Sequence, residues 1–267
     1  MNNNTIHAKI QAAGIKHDQW QQAMDSKERI EKITTDQGVY WLKKAAPARG
    51  IFRYHALNLF SWLLRLPLLK AVPQPGGTAA IANEIKRLNA LQQAGVLVPK
   101  IIAHDNDWLL IEDVGVSIVK TLKQQSTKQA TRQQLFKQCL QAIKKLHRQK
   151  QYLSQGFIRN MLLDEVSNDI AFIDFEDDPL QVMSLAEAQA RDLLLLVNST
   201  ARFFVQDQTF FNHAISEFLQ DHDGAMIDAL NTTTQRMQWI TKIPFQKLFG
   251  HDYQKLKVGI LALKNMA

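Results

Sequence analysis

The chain has 267 residues, 46% of them hydrophobic and 21% charged, the balance of a globular protein with room for one large domain or two lobes. Its one cysteine, Cys139, excludes an internal disulfide and points to a reducing compartment, and the opening "MNNNT" lacks the basic-then-apolar layout of a signal peptide. The formal net charge is +7 and the excess is local: between Gln37 and Asn83 there is no Asp or Glu, against Lys43, Lys44, Arg49, Arg53, Arg65 and Lys70.

Residues 6–24 read as one weakly amphipathic helix. "RIEKITTDQGVYWLKKA" reads as two strands joined at Asp36-Gln37-Gly38. A basic, apolar insertion over 45–77 follows and ends in the breaker "PQPGG". Its greasiest stretch, Leu57 to Leu69, is interrupted by Arg65 and Pro67 and is shorter than the about 20 apolar residues that span a bilayer. Residues 51–72 read either as a surface for something anionic (phosphate, acidic lipid or nucleic acid) or as a plain solvated insertion.

A helix is expected from Thr78 to Ala94, with Ile81, Ile85, Leu88 and Leu91 on one face and Gly95 at its end. "VLVPKIIAHDNDWLLIEDVG" gives two strands around a polar turn at His104–Asp107. After Gly115 the character turns helical: residues 118–150, whose second helix carries Leu135, Cys139, Ile143 and Leu146, and then Ser184 to Ala267. Between them lie a loop, "LSQGFIRNMLL", and a short strand, "IAFID", that runs into the carboxylates Asp174, Glu176, Asp177 and Asp178. Like charges packed at a strand end repel, so a partner is expected there.

The order of polar residues suggests that partner. Lys43 follows a hairpin, Glu84 lies on the next helix, Asn160 sits in a loop after a long helix, and Asp174 ends the following strand. Phosphoryl transfer needs a Lys to hold nucleotide phosphates, a Glu to orient it, and an Asn and an Asp to hold Mg²⁺. Lys44 remains the fallback for Lys43, because strand alternation points only one of the two inward. No Cys/His grouping has zinc spacing.

The sequence resembles the protein-kinase-like superfamily over roughly residues 28–205. It is most similar to small bacterial lipopolysaccharide-core (Kdo/heptose) kinase-like and aminoglycoside-phosphotransferase-like proteins. "VYWLKKA" looks like the strand with the nucleotide-binding Lys, "EIKRLNALQQAGVLVPKII" like the Glu-bearing helix and next strand, and "LLIEDVG" like the hinge. "AIKKLHRQ" looks like the helix before the catalytic loop, "FIDFE" like the Asp-Phe-Gly segment with Glu176 for Gly, and "ARDLLLLVNS" like the helix whose Asp192 supports that loop. The resemblance implies an α+β fold of two lobes: a strand-rich first lobe (1–115) and a helical second lobe (116–267). It implies ATP and Mg²⁺ between them, bound by Lys43, Glu84 and Gly38 and by Asn160 and Asp174. The expected activity is transfer of phosphate to an envelope-linked sugar or other hydroxyl, in the cytoplasm or at the inner face of the membrane, with 51–72 touching the lipid-linked substrate.

The pattern departs in three places: the glycine-rich loop is reduced to Gly38, the stretch between Lys43 and Glu84 is long at roughly 40 residues, and the catalytic loop is altered. Counting back from Asn160, Gln155 stands where the catalytic Asp is expected and Leu153 where His is. Glutamine cannot act as a general base. Either Glu176 or Asp177 replaces the Asp, or the chain is a pseudokinase or scaffold that binds a nucleotide or partner without turnover. A nucleic-acid-binding protein ranks behind both, since it leaves the Lys43–Glu84–Asn160–Asp174 order unexplained. Arg159 is expected to pair with the Glu176–Asp178 cluster, and His147 to be structural.

Overall fold

The computed structural model of the protein describes residues 3–47, 67–73, 75–242 and 263. Most of the basic insertion, and with it the apolar run from Leu57, lies outside the described residues, as does the chain after 242 apart from Leu263.

The architecture is α+β and two-lobed. In place of one opening helix there are two, α1 (Asn3–Ala12) and α2 (His17–Asp25), parted at Gly14, whose φ of 72° ends the first. Strands β1 (Ile30–Thr35) and β2 (Gly38–Lys44) form the expected hairpin, and α3 (Gly77–Gln93), β3 (Ile101–His104) and β4 (Trp108–Glu112) follow. The sheet is antiparallel with strand order β1-β2-β4-β3. The run "WLLI" in β4 lacks polar alternation because both faces of the sheet are covered. Trp108 and Leu110 pack with Ile6, Ile10 and Ala23 of the opening helices, while Leu109 and Ile111 pack with Ile81, Leu88 and Leu91 of α3. Burying each such side chain contributes about 1.5–3 kcal/mol.

Alternation along β2 separates the two lysines. Tyr40 and Leu42 point to the opening helices, which turns Lys43 to the α3 side. Lys44 turns back under α2, where its ammonium donates to the carbonyls of Ala23 (2.8 Å), Met24 (3.3 Å) and Ser26 and so satisfies the free carbonyls of that helix end.

The second lobe starts with β5 (Val116–Ser117), α4 (Ile118–Lys123) and α5 (Gln129–Arg148). A 3-10 turn (Ile158–Asn160) leads into β6 (Met161–Leu163), followed by β7 (Ile170–Phe172), and the small sheet has the order β5-β6-β7. Then come α6 (Leu185–Thr200), α7 (Gln208–Leu219) and α8 (Gly224–Lys242). Among the described residues no helix is long and apolar enough to cross a membrane.

One segment ties the lobes together. The described end of the insertion, a 3-10 turn at Pro67–Leu69, leaves the first lobe and lies on α6 and α8. Leu68 is fully buried in the core shared by both lobes, Val72 packs with Tyr152, Met183 and Ala188, and the Arg191 guanidinium donates to the carbonyls of Leu68 (2.7 Å) and Lys70 (3.2 Å). Composition marked this stretch as a surface insertion, yet its end is core. Leu68→Ala is therefore expected to destabilise the protein by about 2–5 kcal/mol, the cost of a cavity in a packed interior. Urea unfolding would show this as a lower midpoint at an unchanged slope.

Candidate active site

The register of the small sheet assembles one half of the site. Met161 pairs with Phe172, and the Ile173 N–H donates to the Asn160 carbonyl at 3.0 Å, so Asn160 and Asp174 emerge at the same sheet end. Asp174 has φ 73°, the left-handed region that L residues enter at a cost of about 1 kcal/mol and where Asp and Asn are tolerated best. Asn160 is 6% exposed, and its side-chain N–H donates to the Gln155 carbonyl at 3.1 Å.

The other half comes from the first lobe. The Lys43 ammonium lies 2.6 Å from Glu84 Oε1, with Lys43 8% and Glu84 1% exposed. Glu84 is thus no polar-face residue of α3: it faces inward, and its second oxygen, Oε2, is buried without a hydrogen-bond partner. Burial alone would lower the Lys43 pKa, but the carboxylates of Glu84, Asp174 and Glu176 raise it above its ordinary value, so the amine stays charged. Burial also raises the Glu84 carboxyl, against the opposing pull of Lys43. Glu176 reaches the same cluster, 3.9 Å from Lys43 and paired with Arg29, while its main-chain carbonyl accepts from Asn83 Nδ2 at 3.2 Å.

Gly38 is not brought there. It opens β2 and Lys43 nearly closes it, so an extended strand separates them by about 17 Å. The residue beside Lys43 is Arg29, just before β1, whose first residue Ile30 is paired with Lys43. Sequence reading missed Arg29 because an exposed-looking arginine before a strand carries no pattern.

The position where the resemblance expects the catalytic base is locked by hydrogen bonds. The Gln155 side-chain nitrogen donates to both oxygens of Asp177, at 3.1 and 3.2 Å, and its Oε1 accepts from Arg159 at 3.0 Å. Arg159 thus meets Gln155, with its guanidinium over the Phe157 ring, and the described ion pairs of Glu176 go to Arg29 and Lys43 instead. Gly156 lets this loop touch α6: a Cβ there would lie 2.5 Å from the Asp192 carbonyl.

Buried charges from both lobes hold the loop. Arg87 of α3 donates to the Tyr152 carbonyl at 2.8 Å and lies over the Tyr152 ring, and the Tyr152 hydroxyl donates to Asp178 at 2.7 Å. Asp192, 1% exposed, accepts the Leu153 N–H at 2.9 Å and sits 3.1 Å from His147 Nε2. The proton order follows from His222. Its Nδ1 must donate to the Phe218 carbonyl (2.7 Å), so its bare Nε2 accepts from His147 Nδ1 (3.4 Å), and one proton lies between His147 Nε2 and Asp192.

The family model described as lipopolysaccharide kinase (Kdo/WaaP) family matches residues 68–220, more than half of the chain. The chain belongs to this family. The match takes in Glu84, Asn160, Asp174, Glu176 and Asp177 and leaves Arg29, Gly38 and Lys43 before its start. The comparison with curated proteins gives no match. Among solved structures, the Rio2 kinase–ADP/Mg²⁺–phosphoaspartate complex from Chaetomium thermophilum is similar at 18% identity and a TM-score of 0.40, covering 91% of this chain and 70% of the other. As a member of the lipopolysaccharide kinase family the chain has a kinase-like fold, and the phosphotransferase class follows from that membership.

The network behind the loop sets a pH dependence. Burial first, then the charges of His147, Lys144 and Arg148, outweigh the Phe218 hydrogen bond and lower His222 from 6.5 to about 4. Between these values the unfolded chain binds a proton that the folded chain refuses, so this contribution is complete above pH 6.5 and is lost as pH falls toward 4. Urea unfolding across that range should show stability falling with pH, and His222→Gln should reduce the slope.

Proposed function

We propose that this kinase-family protein transfers the terminal phosphate of ATP to a hydroxyl of an envelope-linked sugar, with Lys43, Glu84, Asn160 and Asp174 holding the nucleotide and its metal. The observation that carries the reading is the buried Lys43–Glu84 pair at 2.6 Å, facing the sheet end that bears Asn160 and Asp174. Lys43 supplies the charge that binds phosphate, and Glu84 fixes its direction. Among the described residues no three His, Cys, Asp or Glu side chains group as a metal cage. Mg²⁺ is usually held by one or two carboxylates together with substrate phosphates, a share that Asp174 and Asn160 would supply. With its amide N–H committed to Gln155, Asn160 would offer Oδ1, and Asp174 a carboxylate oxygen. The ion, when bound, neutralises charge on the phosphates.

Of the two carboxylates that could stand in for the missing base, Asp177 is the one hydrogen-bonded to Gln155, the residue at the expected base position, while Glu176 pairs with Arg29 and Lys43. We assign Asp177 to take the proton of the acceptor hydroxyl, whose oxygen forms the new bond to phosphorus as the bond to the ADP oxygen breaks. Gln155 orients that carboxylate. Sugar hydroxyls as acceptors are what the family description suggests, and a location on the cytoplasmic side of a membrane is part of the proposal.

A second reading rests on the same loop. Gln155 is fixed between Asp177 and Arg159, as expected if the loop is kept for binding and turnover is lost. Two measurements separate the readings. ATP with Mg²⁺ at about a hundred times the dissociation constant should stabilise the protein by about 2.7 kcal/mol, roughly 5–10 °C in Tm, and Asp174→Ala should abolish the gain. Phosphate transfer to deacylated lipopolysaccharide should fall by about 10²–10⁴ in Asp177→Asn. Stabilisation without any transfer in the parent protein leaves the pseudokinase reading, and no stabilisation removes both.

A further inference from the structure

The β1–β2 hairpin turns its glycine away from Lys43 and its Arg29 end toward it, so whatever a glycine-rich loop would give to phosphates must come from elsewhere. Arg29 pairs with Glu176, a residue 147 positions later. Glu176 is also 3.9 Å from Lys43, so a single carboxylate bridges two cations. Both Arg29 and Glu176 remain partly open, at 26% and 21% side-chain exposure, whereas Glu84 is sealed. Arg29 Nε is buried with no hydrogen-bond partner, a donor that the carboxylate leaves unused. The Glu176 backbone is held by Asn83, so side-chain rotation alone would carry the carboxylate away.

Resting on the nucleotide-site reading above, we infer that Glu176 is a resident stand-in for a phosphate group and that Arg29 is a phosphate-binding residue. An entering phosphate takes the place of the Glu176 carboxylate between Arg29 and Lys43. An arginine fork matches a phosphate as it matches a carboxylate, with two parallel N–H donors. A second anion cannot share the place cheaply, since like charges a few ångströms apart repel. Glu176 therefore competes with the ligand, and the site in its present state is closed by its own acid.

Calorimetric titration with MgATP, inorganic tripolyphosphate and adenosine tests this, using the parent chain, Glu176→Gln, Arg29→Gln and Arg29→Lys. Glu176→Gln should bind MgATP and tripolyphosphate about tenfold tighter. Arg29→Gln should bind them at least tenfold weaker, with Arg29→Lys between it and the parent. Adenosine should bind alike to all four. Binding by Glu176→Gln where the parent shows none would also support the inference. If the parent binds MgATP but Glu176→Gln gains nothing, or Arg29→Gln loses nothing, the pair is only a structural latch; the inference falls and the nucleotide site stands. If no variant, including Glu176→Gln, binds MgATP, the nucleotide-site reading falls and takes the inference with it. Melting temperatures of the unliganded variants show that each is folded.

Discussion

The ion pair of Lys43 and Glu84 is the contact on which the rest of the structure depends. Withdrawing two charges from water costs several kcal/mol per ion, and mutual attraction recovers this only in good geometry with the remaining lone pairs satisfied. Here the geometry is good but the satisfaction is partial, since Glu84 Oε2 has no partner. A pair of apolar residues would pack the same space at less cost. Yet the molecule keeps the ion pair buried: strand alternation turns Lys43 to the sheet face covered by α3, while Lys44 on the opposite face is used up on α2. The cost of this pair, set near the strand end where Asp174 holds a left-handed backbone, is what supports reading the place as a functional site.

The loop behind the site repeats the pattern. Arg87 from the first lobe, and Asp192, Gln189 and Arg191 from α6, bind main-chain groups of residues 151–153 and of the segment crossing from the first lobe. The two lobes therefore meet through buried charges bonded to backbone as well as through apolar packing. Such bonds fix a loop more narrowly than apolar packing, because a misplaced loop leaves a buried charge unpaired. Lobe position, loop position and the Lys43–Glu84 contact are consequently coupled: α3 carries both Glu84 and Arg87, so moving one moves the other.

Much of this was legible in the sequence, for physical reasons that differ by element. The hairpin, α3 and the β3–β4 pair follow from local periodicity and turn chemistry, which do not depend on what lies across the core. Lys43, Glu84, Asn160 and Asp174 could be picked out together because the roles proposed for them need fixed residue types in a fixed order. Arg29, Arg87 and Arg191 could not. Each acts through long-range contacts, Arg29 with Glu176, Arg87 with Tyr152 and Arg191 with Leu68 and Lys70, and a lone arginine in a sequence looks the same whether it ends in water or in the core. The break at Gly14 was missed because an amphipathic pattern that weak cannot distinguish one helix from two. Gly38 misled for the opposite reason: a turn glycine near a lysine expected to bind phosphate fits a pattern, and only the strand direction places it at the far end from Lys43.

The exchange at Gln155 is better understood together with Asp177 than alone. The resemblance to kinases places a carboxylate at 155, and this chain instead has an amide there and a carboxylate facing it at about 3 Å. The loop thus still holds an acid and a hydrogen-bonding neighbour, but the acid is carried by the segment after β7. Restoring Asp at 155 alone would set two carboxylates against each other, and one of them would have to keep a proton or move apart. Gln155→Asp on its own therefore carries an electrostatic cost that a matching change at Asp177 would remove. That mutual dependence is the reason to regard the pair as one functional unit, and it holds for an enzyme that has moved its base as well as for a binder that has lost it.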